Sequence, residues 1–337
     1  MVIRAAIKGI ASHLPEAQLT NGQLAEEFGE RPERILEKTG IAVRHIAAPE
    51  ECASDLGVAA ARRLFEKGVC VPEDIDCLLL CTQSPDYFLP TTACLIQDRL
   101  GLRTDCGAID FNQGCSGFVY GLALAKSMVE SGTAANVLLI TADTYTKFIN
   151  RRDRTLRTLF GDGAAATLVG PAQSSREMIG PFVLGTDGRG ANKLIVHEGA
   201  MRKRKTESVE EQDSRGNWRS KQNLYMDGAA VFNFTLSIVP KALEQLINKA
   251  GTSIDEIDYV IPHQANRFML ERLRPKLNVP PEKFCIDLEL TGNTVSSTIP
   301  LALENALQTS RLKAGHRVAL LGFGVGYSWA ATIVEIV

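Results

Sequence analysis

The chain reads twice, and nothing else in it constrains the fold as strongly. PEDIDCLLLCTQS (72–84) and SIDEIDYVIPHQA (253–265) both place Ile-Asp ahead of an apolar run, and Ile75-Asp76 and Ile257-Asp258 stand 182 residues apart. GTAANVLLIT (132–141) and KAGHRVALLGF (313–323) align with Val137 on Val318, 181 apart. NQGCS (112–116) and NTVSS (293–297) share that spacing of 181, and an apolar helix-like stretch follows each. A single match of this kind is common among αβ chains, which share strand patterns. Three in one order at nearly one spacing predict a duplication, with halves at about 1–170 and 171–337. A chain of 337 residues is long for one core and comfortable for two. Strand-like runs (DCLLLCT, CGAIDFN, NVLLITAD and AAATLVG, then YVIPH, FCIDLEL, RVALLGF and AATIVEIV) alternate with helix-like ones. That pattern predicts an α/β fold of mixed sheets covered by helices.

One segment breaks the symmetry. Residues 197–228 are polar, charged and without a period, which predicts a surface loop or lobe inserted in the second half. Its bases (Arg202, Lys203, Arg204, Lys205, Arg215, Arg219, Lys221) suit an acidic partner, yet Glu207, Glu210, Glu211 and Asp213 offset them.

Charge and cysteine usage exclude several classes. With 37 Lys and Arg against 39 Asp and Glu, the net charge of −2 gives no basic field for nucleic acid. No apolar run approaches the roughly 18 residues of a membrane span, and the first residues lack the apolar core of a secretory signal. A cytoplasmic protein is expected. The eight cysteines show no C-x-x-C pair and no histidine at zinc spacing, so free thiols and no metal site are expected. Cys77 and Cys81 lie in an apolar strand and read as core.

Three turns carry residues suited to chemistry. In GAIDFNQGCSGFVYGLALAKSMVESG a strand meets a helix that is apolar almost all round and stops near Ser131-Gly132, so the helix should be buried. Cys115 falls at its start, where unpaired N–H groups and the dipole favour an anion and lower a thiol pKa. Cysteines are usually small core residues, but this position favours a nucleophile. In DYVIPHQANRFMLERL, His263 also stands between a strand and a helix, and it is the only one of five histidines to do so. It is either a structural histidine or a site group. In LELTGNTVSSTIPLALENAL, Gly292-Asn293 makes a turn and Ser296 or Ser297 is placed to cap the next helix. Asn293 is either a turn residue or a neutral donor. If the halves pack about a pseudo-two-fold, all three turns meet at one face. A thiolate beside two neutral donors suggests acyl transfer with an oxyanion site.

These residues resemble the β-ketoacyl-acyl carrier protein synthase III family. The resemblance runs essentially from end to end: EKTGIAVRHIA, LPTTACLIQDRLGL, the cysteine turn, LFGDGAAATLV, PHQAN, GNTVSSTIPLAL and GFGVGYSW. PHQAN and GNT after a cysteine turn are its most specific part. The resemblance implies a thiolase-like duplicated αβαβα layered fold, with mixed sheets around buried central helices. It implies that an acyl group passes from a coenzyme A or acyl carrier protein thioester to Cys115. Malonyl-acyl carrier protein then decarboxylates and condenses with it, in fatty acid or polyketide synthesis. His263 and Asn293 would hold the malonyl thioester carbonyl and stabilise the enolate. The backbone N–H groups of Cys115 and Val325 would form the oxyanion site. It also implies a homodimer and no cofactor.

Further positions follow from the same match. Leu89 and Tyr327 would shape an acyl pocket, Leu89 by reaching a partner subunit. Arg34, Lys38, Arg154, Asn266 and Arg267 would line the coenzyme A or carrier tunnel. The departures are specific. Val325 stands where the family usually has glycine, and Arg34 where members can have a tryptophan that stacks on adenine. Lys38 replaces an arginine, which removes a bidentate fork, and Phe268 occupies a place where an arginine can assist carrier docking. Two other readings stay open: a cysteine acyltransferase to an oxygen or nitrogen nucleophile without decarboxylation, and a non-catalytic synthase subunit.

Overall fold

A computed structural model of the chain describes residues 2–205 and 207–337. The first half supplies β1 (Val2–His13), β2 (Gln18–Thr20), α1 (Asn21–Phe28), α2 (Pro32–Thr39), β3 (Val43–His45), α3 (Ala53–Glu66), β4 (Cys77–Cys81), α4 (Thr92–Leu100), β5 (Gly107–Phe111), α5 (Gly117–Ser131), β6 (Val137–Asp143), α6 (Arg154–Arg157) and β7 (Gly163–Ser174). The second supplies β8 (Ile179–Thr186), β9 (Leu194–Ile195), β10 (Glu211–Gln212), β11 (Trp218–Arg219), β12 (Tyr225–Met226), α7 (Gly228–Ala250), β13 (Tyr259–Pro262), α8 (Arg267–Lys276), α9 (Thr298–Gln308), β14 (Arg317–Gly324) and β15 (Ser328–Glu335).

The repeat is a repeat of topology. The first sheet runs β1-β7-β6-β4-β5 and the second β8-β15-β14-β13. In each, a parallel pair (β4 with β6; β13 with β14) is followed outward by two antiparallel neighbours. The sequence offsets survive as strand register: Cys77 pairs with Val137, and their counterparts Tyr259 and Val318 pair with each other.

Side-chain alternation explains the layering. Along β4, Cys77 and Leu79 face the core between the sheets with α5 and α9, while Leu78 and Leu80 face the outer core under α3 and α4. A strand buried on both faces reads as a continuous apolar run, which is why CLLLC shows no polar alternation. Each such leucine contributes roughly 1.5–3 kcal/mol on burial. A third core packs α7 and α8 on the far face of the second sheet. The result is the five-layer αβαβα order, with α5 and α9 at the centre.

Three expectations are corrected. The boundary at 170/171 falls inside β7, and the chain passes between sheets only after Ser174. The run FCIDLEL forms no strand: its pairing is one bridge, Val260 to Phe284. The inserted segment carries short pairings, β10 with β11 and β12 with β9. Neither Ser296 nor Ser297 caps α9 with its side chain. Instead Ser296 donates to the buried carboxylate of Asp143, and Ser297 Oγ meets Thr141 Oγ1 at 2.9 Å, so both tie the second half to the first.

Candidate active site

Cys115 sits in the turn between β5 and α5, two residues ahead of the helix start, and is 5% exposed. The turn is tight against its neighbours. A Cβ on Gly117 would lie 2.2 Å from Cys81 Sγ, and one on Gly324 would lie 3.0 Å from both Cβ and Sγ of Cys115. Glycine therefore lets β14 pass directly beneath the sulfur.

The environment of the thiol differs from expectation. Burial first, and Asp143 second, push Cys115 up to about 12, against the downward pull of the backbone N–H groups of Cys115 and Val325. The helix start was expected to lower it. Desolvation of the anion outweighs that effect at a fully buried sulfur. Asp143 ends β6 and is itself raised to about 7 by burial, despite hydrogen bonds from Ser296 and Gln83. The same two N–H groups that reach the sulfur are those the resemblance assigned to an oxyanion.

His263 follows β13 directly, and its N–H donates to Leu321 O at 2.8 Å. Its ring is buried, meets Phe323 edge-on at 5.5 Å, and contacts Thr298 Oγ1 through Nδ1 at 2.7 Å. Burial holds it down at about 3, so the imidazole is neutral at physiological pH. Asn293 is fixed at both ends. Its N–H donates to Leu159 O at 2.9 Å and its C=O accepts from Gly161 N–H at 3.1 Å. Its Oδ1 accepts from Val295 N–H at 3.0 Å, which leaves Nδ2 as the free donor end of the amide.

Cys115, His263 and Asn293 line one cavity of about 380 Å³. Phe323 and Gly324 lie beside them, apolar Phe160, Leu194 and Met226 form walls, and the exposed Lys38 and Phe268 reach the same cavity. Phe268 is stacked on Phe232 at 5.6 Å. Asn266 also lines it, while its Oδ1 caps α8 on Met269 N–H.

The remaining expected positions scatter. Tyr327 is not among the residues lining this cavity; its ring stacks on Phe234 at 4.0 Å in the outer core of the second sheet. Leu89 is 82% exposed and is not among the cavity residues. Arg34 is exposed and outside the cavity wall. Arg154 donates to Phe28 O at 2.6 Å, and Arg267 pairs with Glu289 at 3.0 Å; neither lines the cavity. Lys38 lies 3.4 Å from Glu30. Val325 packs its side chain on Gly114, where a Cβ would lie 2.4 Å from Val325 Cγ1.

Sequence reasoning missed Thr298, Asp143 and Tyr145. Tyr145 is buried with Cys115 and its hydroxyl donates to Gln83 Oε1 at 3.2 Å. No local signal marks these residues, because each reaches the site from another element. Among the described residues, no three His, Cys, Asp or Glu side chains gather as a metal site, and no helix is long and apolar enough to cross a membrane.

A thiol with two backbone donors at its sulfur, facing two neutral polar side chains across an apolar cavity, is equipped to carry an acyl group and to stabilise an oxyanion. Known proteins resemble the chain over nearly its whole length. The family model described as 3-oxoacyl-[acyl-carrier-protein (ACP)] synthase III matches residues 109–188, and its C-terminal counterpart matches residues 247–336. The β-ketoacyl-[acyl-carrier-protein] synthase III of Caldanaerobacter subterraneus is 36% identical over 333 residues, covering 99% of this chain and 98% of that protein. Synthase III 2 of Halalkalibacterium halodurans is 38% identical over 337 residues, covering 99% of this chain and 97% of that protein. A crystal structure of a 3-oxoacyl-(acyl-carrier-protein) synthase III superposes with a TM-score of 0.98 at 53% identity, over 99% of this chain and 100% of that one. The priming β-ketosynthase of the R1128 polyketide pathway superposes with a TM-score of 0.85 at 31% identity, over 100% of this chain and 98% of that one.

Proposed function

The chain belongs to the 3-oxoacyl-[acyl-carrier-protein] synthase III family, and from that premise we propose how its own residues divide the reaction. It is a condensing enzyme, an acyltransferase of fatty acid or polyketide biosynthesis. In our reading Cys115 is the nucleophile. Its sulfur attacks the carbonyl of an acyl thioester of coenzyme A or an acyl carrier protein, and the thiol proton of Cys115 leaves with the donor thiol. The backbone N–H groups of Cys115 and Val325 hold the oxyanion of that step. Malonyl-acyl carrier protein then loses carbon dioxide. The enolate oxygen is met by His263 and Asn293, the new carbon–carbon bond forms at the acyl carbon, and Cys115 leaves as thiolate.

The observation that carries this reading is the convergence of Cys115, His263 and Asn293 on one apolar cavity. Neutral donors suit an enolate because the charge they meet develops only in the transition state. The reading needs no resident cofactor or metal. Lys38 and Asn266 would meet the arriving pantetheine arm. We assign the working form as a homodimer. Its interface would use the edge strand β5, where Ile109 is 47% exposed, and the loop bearing Phe88 and Leu89, 77% and 82% exposed. Leu89 would then serve the partner's pocket. A reducing, cytoplasmic setting fits cysteines that are all free.

Intact-mass measurement tests the assignment. Wild-type protein given acyl donors gains one acyl mass and Cys115→Ala gains none; equal labelling of both refutes the nucleophile. With malonyl-acyl carrier protein the acylated enzyme releases carbon dioxide and a β-ketoacyl product, and His263→Ala loses this step far more than self-acylation. Transfer to an oxygen or nitrogen acceptor without carbon dioxide would instead mark a plain acyltransferase.

A further inference from the structure

The loop that carries Asn293 also reaches His263. Val295 is fully buried and has φ +56, a left-handed conformation that β-branched residues rarely adopt. Such geometry persists only where the surroundings over-determine it. Here it aims the Val295 N–H back at Asn293 Oδ1, 3.0 Å away, and sends the chain on to Thr298, the first residue of α9. Thr298 is 3% exposed, and its hydroxyl lies 2.7 Å from His263 Nδ1 and 3.2 Å from Val295 O. One hydroxyl proton serves one acceptor well. The imidazole lone pair is the nearer of the two and the more basic.

We propose that Thr298 is a positioning residue, donating its hydroxyl proton to His263 Nδ1 and so holding the neutral imidazole with its proton on Nε2, toward the cavity. The Val295 N–H does the equivalent work on Asn293, turning the amide so that its NH₂ is the free end. One short turn thereby sets two separate side chains as donors to a single oxygen. Thr298 is buried and does not line the cavity, and its one other hydroxyl partner among the described residues is Val295 O at the longer 3.2 Å. The proposal rests on the roles given to His263 and Asn293 above.

The test uses the full-length protein with ¹⁵N-labelled histidine, with the His263 resonances assigned by their loss in His263→Ala. Wild type should show Nε2 protonated and Nδ1 as a hydrogen-bonded acceptor; protonation at Nδ1 overturns the proposal. Thr298→Val, which keeps the shape and removes the hydroxyl, should shift the Nδ1 resonance; an unchanged spectrum also overturns it. Decarboxylation by Thr298→Val should fall about 10- to 100-fold, the scale of a small misplacement at a reacting centre. Self-acylation of Cys115 should stay within about threefold, since it does not use that donor. Thr298→Ser should restore both spectrum and decarboxylation. Equal loss in both half-reactions, or no rescue by serine, counts against the proposal. The tautomer readout needs no turnover, so it decides the proposal even if malonyl thioester proves not to be the substrate.

Discussion

Gly117→Ala measures how closely the nucleophile turn is packed on the sheet beneath it. The new methyl would lie 2.2 Å from Cys81 Sγ and 3.3 Å from Gln113 Cβ. Ordinary contact is about 3.5–4.0 Å, so the sulfur must move by more than an ångström. Moving it breaks the bond from Cys81 Sγ to Gln113 O, now 3.1 Å, worth about 1 kcal/mol. Overpacking a dense core costs about 1–3 kcal/mol, and alanine returns up to about 1 kcal/mol of helix propensity. The net expectation is a loss of about 2–3 kcal/mol, read as a lower urea midpoint at unchanged m-value. The sulfur causes the dominant clash, since Cys81 Cβ would sit at an ordinary 3.7 Å and Gln113 Cβ, at 3.3 Å, needs to give only a few tenths of an ångström. In a Cys81→Ala background Gly117→Ala should therefore cost less than about 0.5 kcal/mol, a coupling of about 2 kcal/mol. Self-acylation should fall in the single variant and recover in the double. The reasoning is refuted if Gly117→Ala is neutral, or if it costs the same with and without the sulfur.

Two other perturbations follow from the site. Asp143→Asn removes a charge that raises the Cys115 thiol, so alkylation by iodoacetamide should quicken, by up to about tenfold for one pKa unit. The gain should appear as pH rises through about 7, where Asp143 ionises in the wild type, and vanish below it; a uniform change across pH would contradict the electrostatic account. Ile109→Asp, on the exposed edge of β5, should convert a two-chain particle to a single chain by light scattering with the secondary structure intact. A wild type that already runs as one chain refutes the assigned interface.

Much of this molecule is legible in its sequence because duplication leaves a double record. The offsets near 181 became matching registers, and the turns of Cys115 and His263 fall where β5 and β13 end. What escaped legibility is three-dimensional. The direction of the Cys115 shift is set first by burial and then by Asp143, 28 residues away in sequence at the end of β6. Tyr327 and Val325 are two residues apart in GFGVGYS, yet one packs in the outer core and the other against Gly114. FCIDLEL has strand composition, but only Phe284 bridges Val260. Local propensity does not determine whether a neighbour is free to pair. Ser296 and Ser297 look like caps, and a buried carboxylate and a threonine claimed them instead.

The one bridge at Phe284 has a consequence for assembly. A perfectly duplicated molecule would expose an equivalent sheet edge on each half. Two sticky edges at opposite ends let copies add without limit, and an unending ribbon results. In this chain the first half keeps its outer strand, β5, while the second half ends at β13, screened by the segment around Phe284 and Cys285. Pairing of β5 with its copy about a two-fold would consume that edge, and the equivalent edge at β13 is already screened. The strand missing beyond β13 is thus what would keep such pairing to two chains rather than a ribbon.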